Sequence, residues 1–256
     1  MSVLAKNQKG FSTFEIILVI TIILTIGIAG AIVYRNKHQN SPGTNQNCPP
    51  GTFLGYPPLP NATKEVCLRS GAIDKPVIYL YPTYSENVNV KLAYAAGFTQ
   101  TVPAYNEKNG WQVRARPDGT LTNLSDGKSY PYLFWEGKPP QISFDMTKGF
   151  VVAGSQTRTF FQRQLEIMGL NQNETRAFIA YWLPKMEGNR YSLIHFAGSE
   201  YTNYARLTIT PSPDSLLRVF MVFEPLPVPV KVSPQLLPTF HRVGFSAVEW
   251  GGTELH

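Results

Sequence analysis

Three groups of residues in this chain have types and spacings that could do chemistry. The first is a lone carboxylate, Glu15, at the head of residues 16–34, about 19 residues without a single charge. A carboxylate beside hydrocarbon costs on the order of 2 to 3 kcal/mol, so it marks a partner of opposite charge or a place at the headgroup level. The second is a pair of cysteines, Cys48 and Cys67. An isolated even pair in an exported chain reads as a disulfide, and closing that loop would contribute about 3 kcal/mol; two unrelated thiols are the alternative. The third is scattered over the remainder. His195 and His241 could converge with Asp145, Glu136 or Glu166, but nothing in their spacing asks for it. His38 and His256 stand apart. There is no nucleophile elbow, no glycine-rich phosphate loop and no zinc helix. The expectation is therefore no catalytic residue, no cofactor and no metal.

Aromatics form a further set. Tyr79, Tyr81, Tyr130, Tyr132, Phe134 and Trp135 are close enough in sequence to build a stacking platform for sugars or bases. Strand alternation would send half of them into a core instead.

The elements that must position these residues begin with residues 16–34. As a helix, at roughly 1.5 Å per residue, the run reaches about 28 Å, close to the hydrocarbon thickness of a bilayer. The ten residues before Phe11 carry Lys6 and Lys9 and no acid, and they end in Gly10. A basic leader, Gly10, Phe11, Glu15 and an apolar run, in that order, resemble the class III signal of type IV pilins and pseudopilins. The resemblance implies cleavage between Gly10 and Phe11 by a prepilin peptidase, N-methylation of Phe11, and docking of Glu15 on the amino terminus of a neighbouring subunit. It also implies membrane lipid and other pilin subunits as partners. The chain would be a substrate of that peptidase and not itself an enzyme. A buried charge is far less costly when paired, which is the physical logic of such docking. A signal anchor without assembly is the alternative, since Lys6 and Lys9 are balanced by Arg35 and Lys37 beyond the run.

These readings give four segments: a leader over 1–10, a transmembrane helix over 11–36, a linker with a disulfide loop over 37–74, and an extracellular domain over 75–256. The head would be outside the cell and the chain single-pass in the cell membrane. The formal net charge is +6, and removing Lys6 and Lys9 leaves +4, mildly basic and without a block of lysines or arginines. Such a balance excludes nothing among surface ligands, so a glycan or DNA stays open.

Within 75–256 the texture is mostly that of strands. Residues 76–81 are β-branched and aromatic, 87–92 and 111–115 alternate, and Pro117, Asp118 and Gly119 signal a turn into a partner strand at 120–124. Residues 130–135 read as one aromatic strand. Residues 157–168 place Phe161, Leu165 and Met168 on one helical face, with Gly169 as a stop. Asn171 and Glu174 have capping-box spacing ahead of a helical stripe, Phe178, Ile179, Trp182 and Leu183, ending at Pro184. Strands return at 192–196, 204–210 and 216–223, the last apolar enough to be central. Residues 224–230 read as a proline-spaced crossing, and 240–250 as a final strand closed by Gly251 and Gly252.

The predicted class is α+β: an N-terminal transmembrane helix, then a mostly antiparallel β head with a two-helix insertion. The head also resembles an uncharacterised domain that recurs in bacterial exported or envelope-linked proteins, which implies no activity. The function expected from the whole is a minor or tip subunit of a surface filament or secretion pseudopilus, serving adhesion, motility, export or DNA uptake. The alternative is a membrane-anchored surface domain, a binding module or an envelope hydrolase, that does not assemble.

Overall fold

Alternation of apolar and polar residues builds most of this chain. The computed structural model describes residues 52–55, 66–69 and 71–256, the first two stretches as backbone strands only. Those two strands, β1 (Thr52–Gly55) and β2 (Val66–Arg69), pair with each other as an antiparallel hairpin. The expected segment 11–36, with Gly10, Phe11 and Glu15, lies outside the described residues, as do Cys48 and His38.

The first half of the head is a meander in two sheets. β3 (Asp74–Tyr81) and β4 (Glu86–Tyr94) follow the expected strands, and β4 buries every second residue from Val88 to Tyr94. β5 (Phe98–Val102) comes next, then β6 (Trp111–Ala115), which turns at Gly119 (φ +86°) into β7 (Leu121–Asn123). The aromatic run at 130–135 is not one strand. It divides into β8 (Ser129–Tyr130) and β9 (Leu133–Gly137), which belong to different sheets. Pro131 lies at the break, where its missing N–H would spoil a continuous ladder.

After β10 (Lys148–Ala153) come α1 (Thr157–Ile167) and α2 (Gln172–Met186). Gly169 (φ +95°) stops α1 as expected, and the capping box forms with Asn171 and Glu174 serving each other. Pro184 does not end α2: the helix runs two residues further, to Met186. The chain continues through β11 (Tyr191–Ala197), the short α3 (Ser199–Tyr204), β12 (Ala205–Thr210), the central β13 (Ser215–Leu226), β14 (Ser233–Pro234) and β15 (Ser246–Glu254). Two expectations shift here. Glu224 and Pro225 belong to β13 and not to a crossing, and Gly251 and Gly252 lie inside β15 and do not close it.

The strands form an eight-stranded sheet in the order β14-β10-β11-β13-β15-β3-β9-β5 and a five-stranded sheet in the order β12-β4-β6-β7-β8. One face of the large sheet packs on the small one through Ile78, Leu80, Trp135, Leu193, Phe220 and Val222 against Val88, Val90, Leu92, Trp111 and Val113. The other face packs on α1 and α2 through Val77, Val219, Phe223 and Trp250 against Phe161, Leu165, Phe178 and Trp182. The expected α+β class with a transmembrane helix is thereby corrected to a mainly β fold. The larger burial is sheet on sheet, and the two helices cover only part of one face.

β13 and β15 are parallel neighbours, so residues 227–245 must travel back along the length of the sheet. They do so as an extended strap with prolines at 227, 229, 234 and 238. The Gln235 side chain grips the Phe196 backbone, accepting from its N–H at 2.9 Å and donating to its carbonyl at 2.7 Å. Leu237 and Phe240 then pack on the helix-side core, and Arg242 donates to the Gly169 carbonyl and to Glu174.

Among the described residues no helix is long and apolar enough to cross a membrane, and there is no disulfide. The single-pass placement in the cell membrane and the expectation of a disulfide are corrected to that extent; Cys48, and with it the Cys48–Cys67 pairing, lies outside the described residues. Cys67 pairs with Leu54 in the β1–β2 ladder.

Candidate functional site

The histidine–carboxylate centre considered from sequence does not assemble. His195 is buried on β11, its Nδ1 lies 2.9 Å from the Lys148 carbonyl oxygen and its Nε2 lies 3.3 Å from Glu200 Oε1. Both neighbours are acceptors, so whichever ring nitrogen carries a proton has an oxygen to donate to. The His195 contact holds the Glu200 carboxyl below its usual range. Glu200 in turn accepts from the Gly198 N–H, so the pair fixes the start of α3. His241 is exposed on the strap and His256 on the terminus. Asp145 pairs with Lys148 at 3.1 Å, and Glu166 lines a shallow groove on the outer side of the helices. Among the described residues no group of His, Cys, Asp and Glu is arranged to hold a metal ion.

The aromatic set fares differently. The pleat sends Trp135 to the sheet–sheet core, while β8 carries Tyr130 to the small sheet. Tyr79, Tyr81, Tyr132 and Phe134 meet on the helix side of β3 and β9, at the border of the helix layer. Tyr79 and Tyr81 are stacked with nearly parallel planes, centroids 6.2 Å apart, and Tyr132 meets Tyr79 edge-on at 5.5 Å. Tyr181 of α2 joins them. Tyr81 donates its hydroxyl to Glu174, but the hydroxyls of Tyr132 and Tyr181 meet no partner among the described residues. Both rings are half-buried and leave an edge to solvent.

Charged groups border this surface. The Lys75 ammonium lies 4.7 Å from the Phe134 ring centroid, 5.5 Å from Tyr132 and 5.8 Å from Tyr181. Lys75 has φ +57°, alone in the left-handed region among described non-glycine residues. An L side chain there costs on the order of 1–2 kcal/mol, and such strain gathers at functional places. Lys185 lies one helical turn after Tyr181, 5.0 Å from its centroid, and reaches Asp74 at 3.7 Å. Burial raises the Asp74 carboxyl above its usual range, and the Lys185 charge offsets only part of that. Burial also raises Glu136, helped by repulsion from Asp74. Two acids, two ammonium groups and several rings thus share one half-buried corner.

Sequence reasoning named Glu136 and the aromatics of β3 and β9, yet it did not gather the site. Asp74, Lys75, Tyr181 and Lys185 were missed. The spacing of Tyr181 and Lys185, four apart on a helix, was a usable signal. The meeting of α2 with β3 and β9 had none, because it is made by tertiary packing.

No family model matches the chain, and no solved structure matches it. The chain is similar to a protein of Butyrivibrio fibrisolvens described as "Uncharacterized protein in bglA 3'region", 42% identical over 64 residues. That stretch is 25% of this chain, and the chain spans 65% of the length of this curated relative. With no family model in support, the pilin and prepilin assignments drawn from residues 9–34 are not carried further.

Proposed function

We propose that this chain works by contact, as a binding module, and that its contact surface is the corner formed by β3, β9 and the second half of α2. The ligand class that fits is a hydroxyl-rich polymer, a glycan strand. The observation that carries this is the mixture of groups. Tyr132, Tyr181, Lys75 and Lys185 donate, and Asp74 and Glu136 accept, within one half-exposed aromatic patch. A sugar hydroxyl both donates and accepts, and the C–H face of a pyranose packs on an aromatic ring, so a mixed set of this kind suits it. A polyanion such as DNA would meet the two carboxylates at the same place, and among the described residues Lys75 and Lys185 are the basic groups that border it.

The full chain should co-sediment with insoluble cell-wall glycans, and soluble oligosaccharides of the same linkage should release it. Tyr132→Ala and Tyr181→Ala should each weaken binding by roughly 5- to 30-fold, the range of 1–2 kcal/mol per ring. Retention that is equal in wild type and in both variants would place the contact surface elsewhere. Filament assembly was read from residues 9–34, outside the described residues, and no observation on the head bears on it.

A further inference from the structure

The three rings that surround Lys75 have the geometry of a cation cage. A cation within about 6 Å of a ring centroid is attracted by the ring quadrupole, and several rings around one ammonium is the arrangement that selects alkylammonium groups. Here Phe134, Tyr132 and Tyr181 all meet that distance, from two different elements of the fold. Asp74 and Glu136 add negative charge at the same corner, and Lys185 already answers Asp74. Among the described residues Lys75 has no carboxylate within ion-pair distance; the rings are the groups its ammonium touches, and Glu136 acts on its charge only from further off. Its backbone conformation is the strained one. A cage filled by a tethered group that is strained and lacks an ion-pair partner is a cage that an outside cation can take over.

We propose that Tyr132, Phe134 and Tyr181 form a receptor for an alkylammonium substituent borne by the polymer ligand, and that Lys75 occupies it in the free chain. This rests on the reading of the corner as a binding surface, and it names the group that surface recognises. The two ammonium groups exclude each other, so Lys75 acts as a built-in competitor. Phe134 is only 8% exposed, which leaves room for one projecting substituent and not for a flat layer.

The test uses the full chain and tetramethylammonium. Lys75→Gly empties the cage and removes the strain as well, because glycine accepts positive φ without a steric penalty. The variant should bind tetramethylammonium at least about tenfold more tightly than wild type, a factor that one relieved cation–π competitor can supply. The N-methyl proton resonance should move upfield as it enters the ring currents. Adding Tyr181→Ala to Lys75→Gly should abolish the gain, and tert-butanol, the neutral analogue, should show none. The inference is overturned if Lys75→Gly gains nothing, if the gain survives loss of Tyr181, or if tert-butanol binds equally well. Phosphatidylcholine vesicles form a second arm, and co-sedimentation with them would overturn assignment to a polymer. Glycan co-sedimentation of the same variant keeps the two readings apart. Glycan binding without tetramethylammonium binding sinks the cage alone, and the reverse sinks the glycan reading alone.

Discussion

Arg218 and Glu249 face each other on adjacent parallel strands, Nε to Oε2 at 2.7 Å, with side chains 8% and 1% exposed. They lie in the sheet–sheet core, where Trp135 Nε1 donates to the other Glu249 oxygen at 3.2 Å and the Tyr201 ring lies 4.8 Å below the guanidinium. Burial works against the Arg218 charge, but Glu249 and Tyr201 together outweigh it and hold the guanidinium charged. The pair sits where β13 and β15 are joined by the long strap. Breaking it strands a charge in a sealed layer.

Glu249→Ala should therefore destabilise the chain by roughly 3–5 kcal/mol, because Arg218 stays buried without its counter-charge. The double variant Arg218→Met, Glu249→Leu should recover most of that loss. Urea unfolding of Arg218→Met, of Glu249→Leu and of the double variant closes the cycle and gives the coupling directly. Additive losses would mean that the two charges act independently.

Glu224 is the opposite case. It lies between Val222 and Leu226 on the same strand face, is 1% exposed, and neither carboxylate oxygen has a hydrogen-bond partner among the described residues. Burial pushes its carboxyl up to about 8 from an ordinary 4.5. The folded chain thus keeps a proton that the unfolded chain gives up. Stability is undiminished below about pH 4.5, falls as pH rises toward about 8, and is level above that. Glu224→Gln should remove this fall, making the variant more stable than wild type by roughly 2 to 4 kcal/mol at pH 9 and equal to it at pH 4. A constant difference across pH would refute the buried proton.

Arg242 pins the strap. It donates to Glu174, whose carboxylate is fully buried and also accepts from Tyr81 and from the Asn171 N–H. Arg242→Ala should cost roughly 2–4 kcal/mol, since Glu174 loses its counter-charge. Hydrogen exchange should quicken in residues 235–245 before it does in β13 or β15. Exchange that quickens evenly over the whole sheet would show that the strap has no stability of its own to lose.

The cage around Lys75 has its own pH signature. The carboxyls of Asp74 and Glu136 both sit above the usual range, mainly through burial, and the facing groups are Lys75, Lys185 and Tyr181. A carboxylate attracts a cation only when ionised. Tetramethylammonium binding to the Lys75→Gly variant should be level at neutral pH and weaken as pH falls, beginning at a higher pH than ordinary carboxylates would give. A titration curve that is flat to pH 4 would detach the two acids from the cage.

What the sequence by itself determined is local. Alternation in 87–92 and 111–115 named β4 and β6, Pro117 to Gly119 placed the β6–β7 turn, and Asn171 with Glu174 marked the start of α2. Each of these depends on neighbours within one turn or one pleat, so the signal sits inside a short window. Tertiary structure decided the rest. It divided residues 130–135 between two sheets, drew β15 from the far end of the chain in beside β3, and seated α2 so that Tyr181 and Phe134 both lie around Lys75. Strand order, and with it the membership of a buried face, is set by contacts between residues more than a hundred positions apart, as Trp135 and Glu249 are. Period two tells which side chains share a face of one strand, but it carries nothing about which strand lies alongside. For that reason Glu249, Glu224 and the Lys75 corner could not be read from residue order alone.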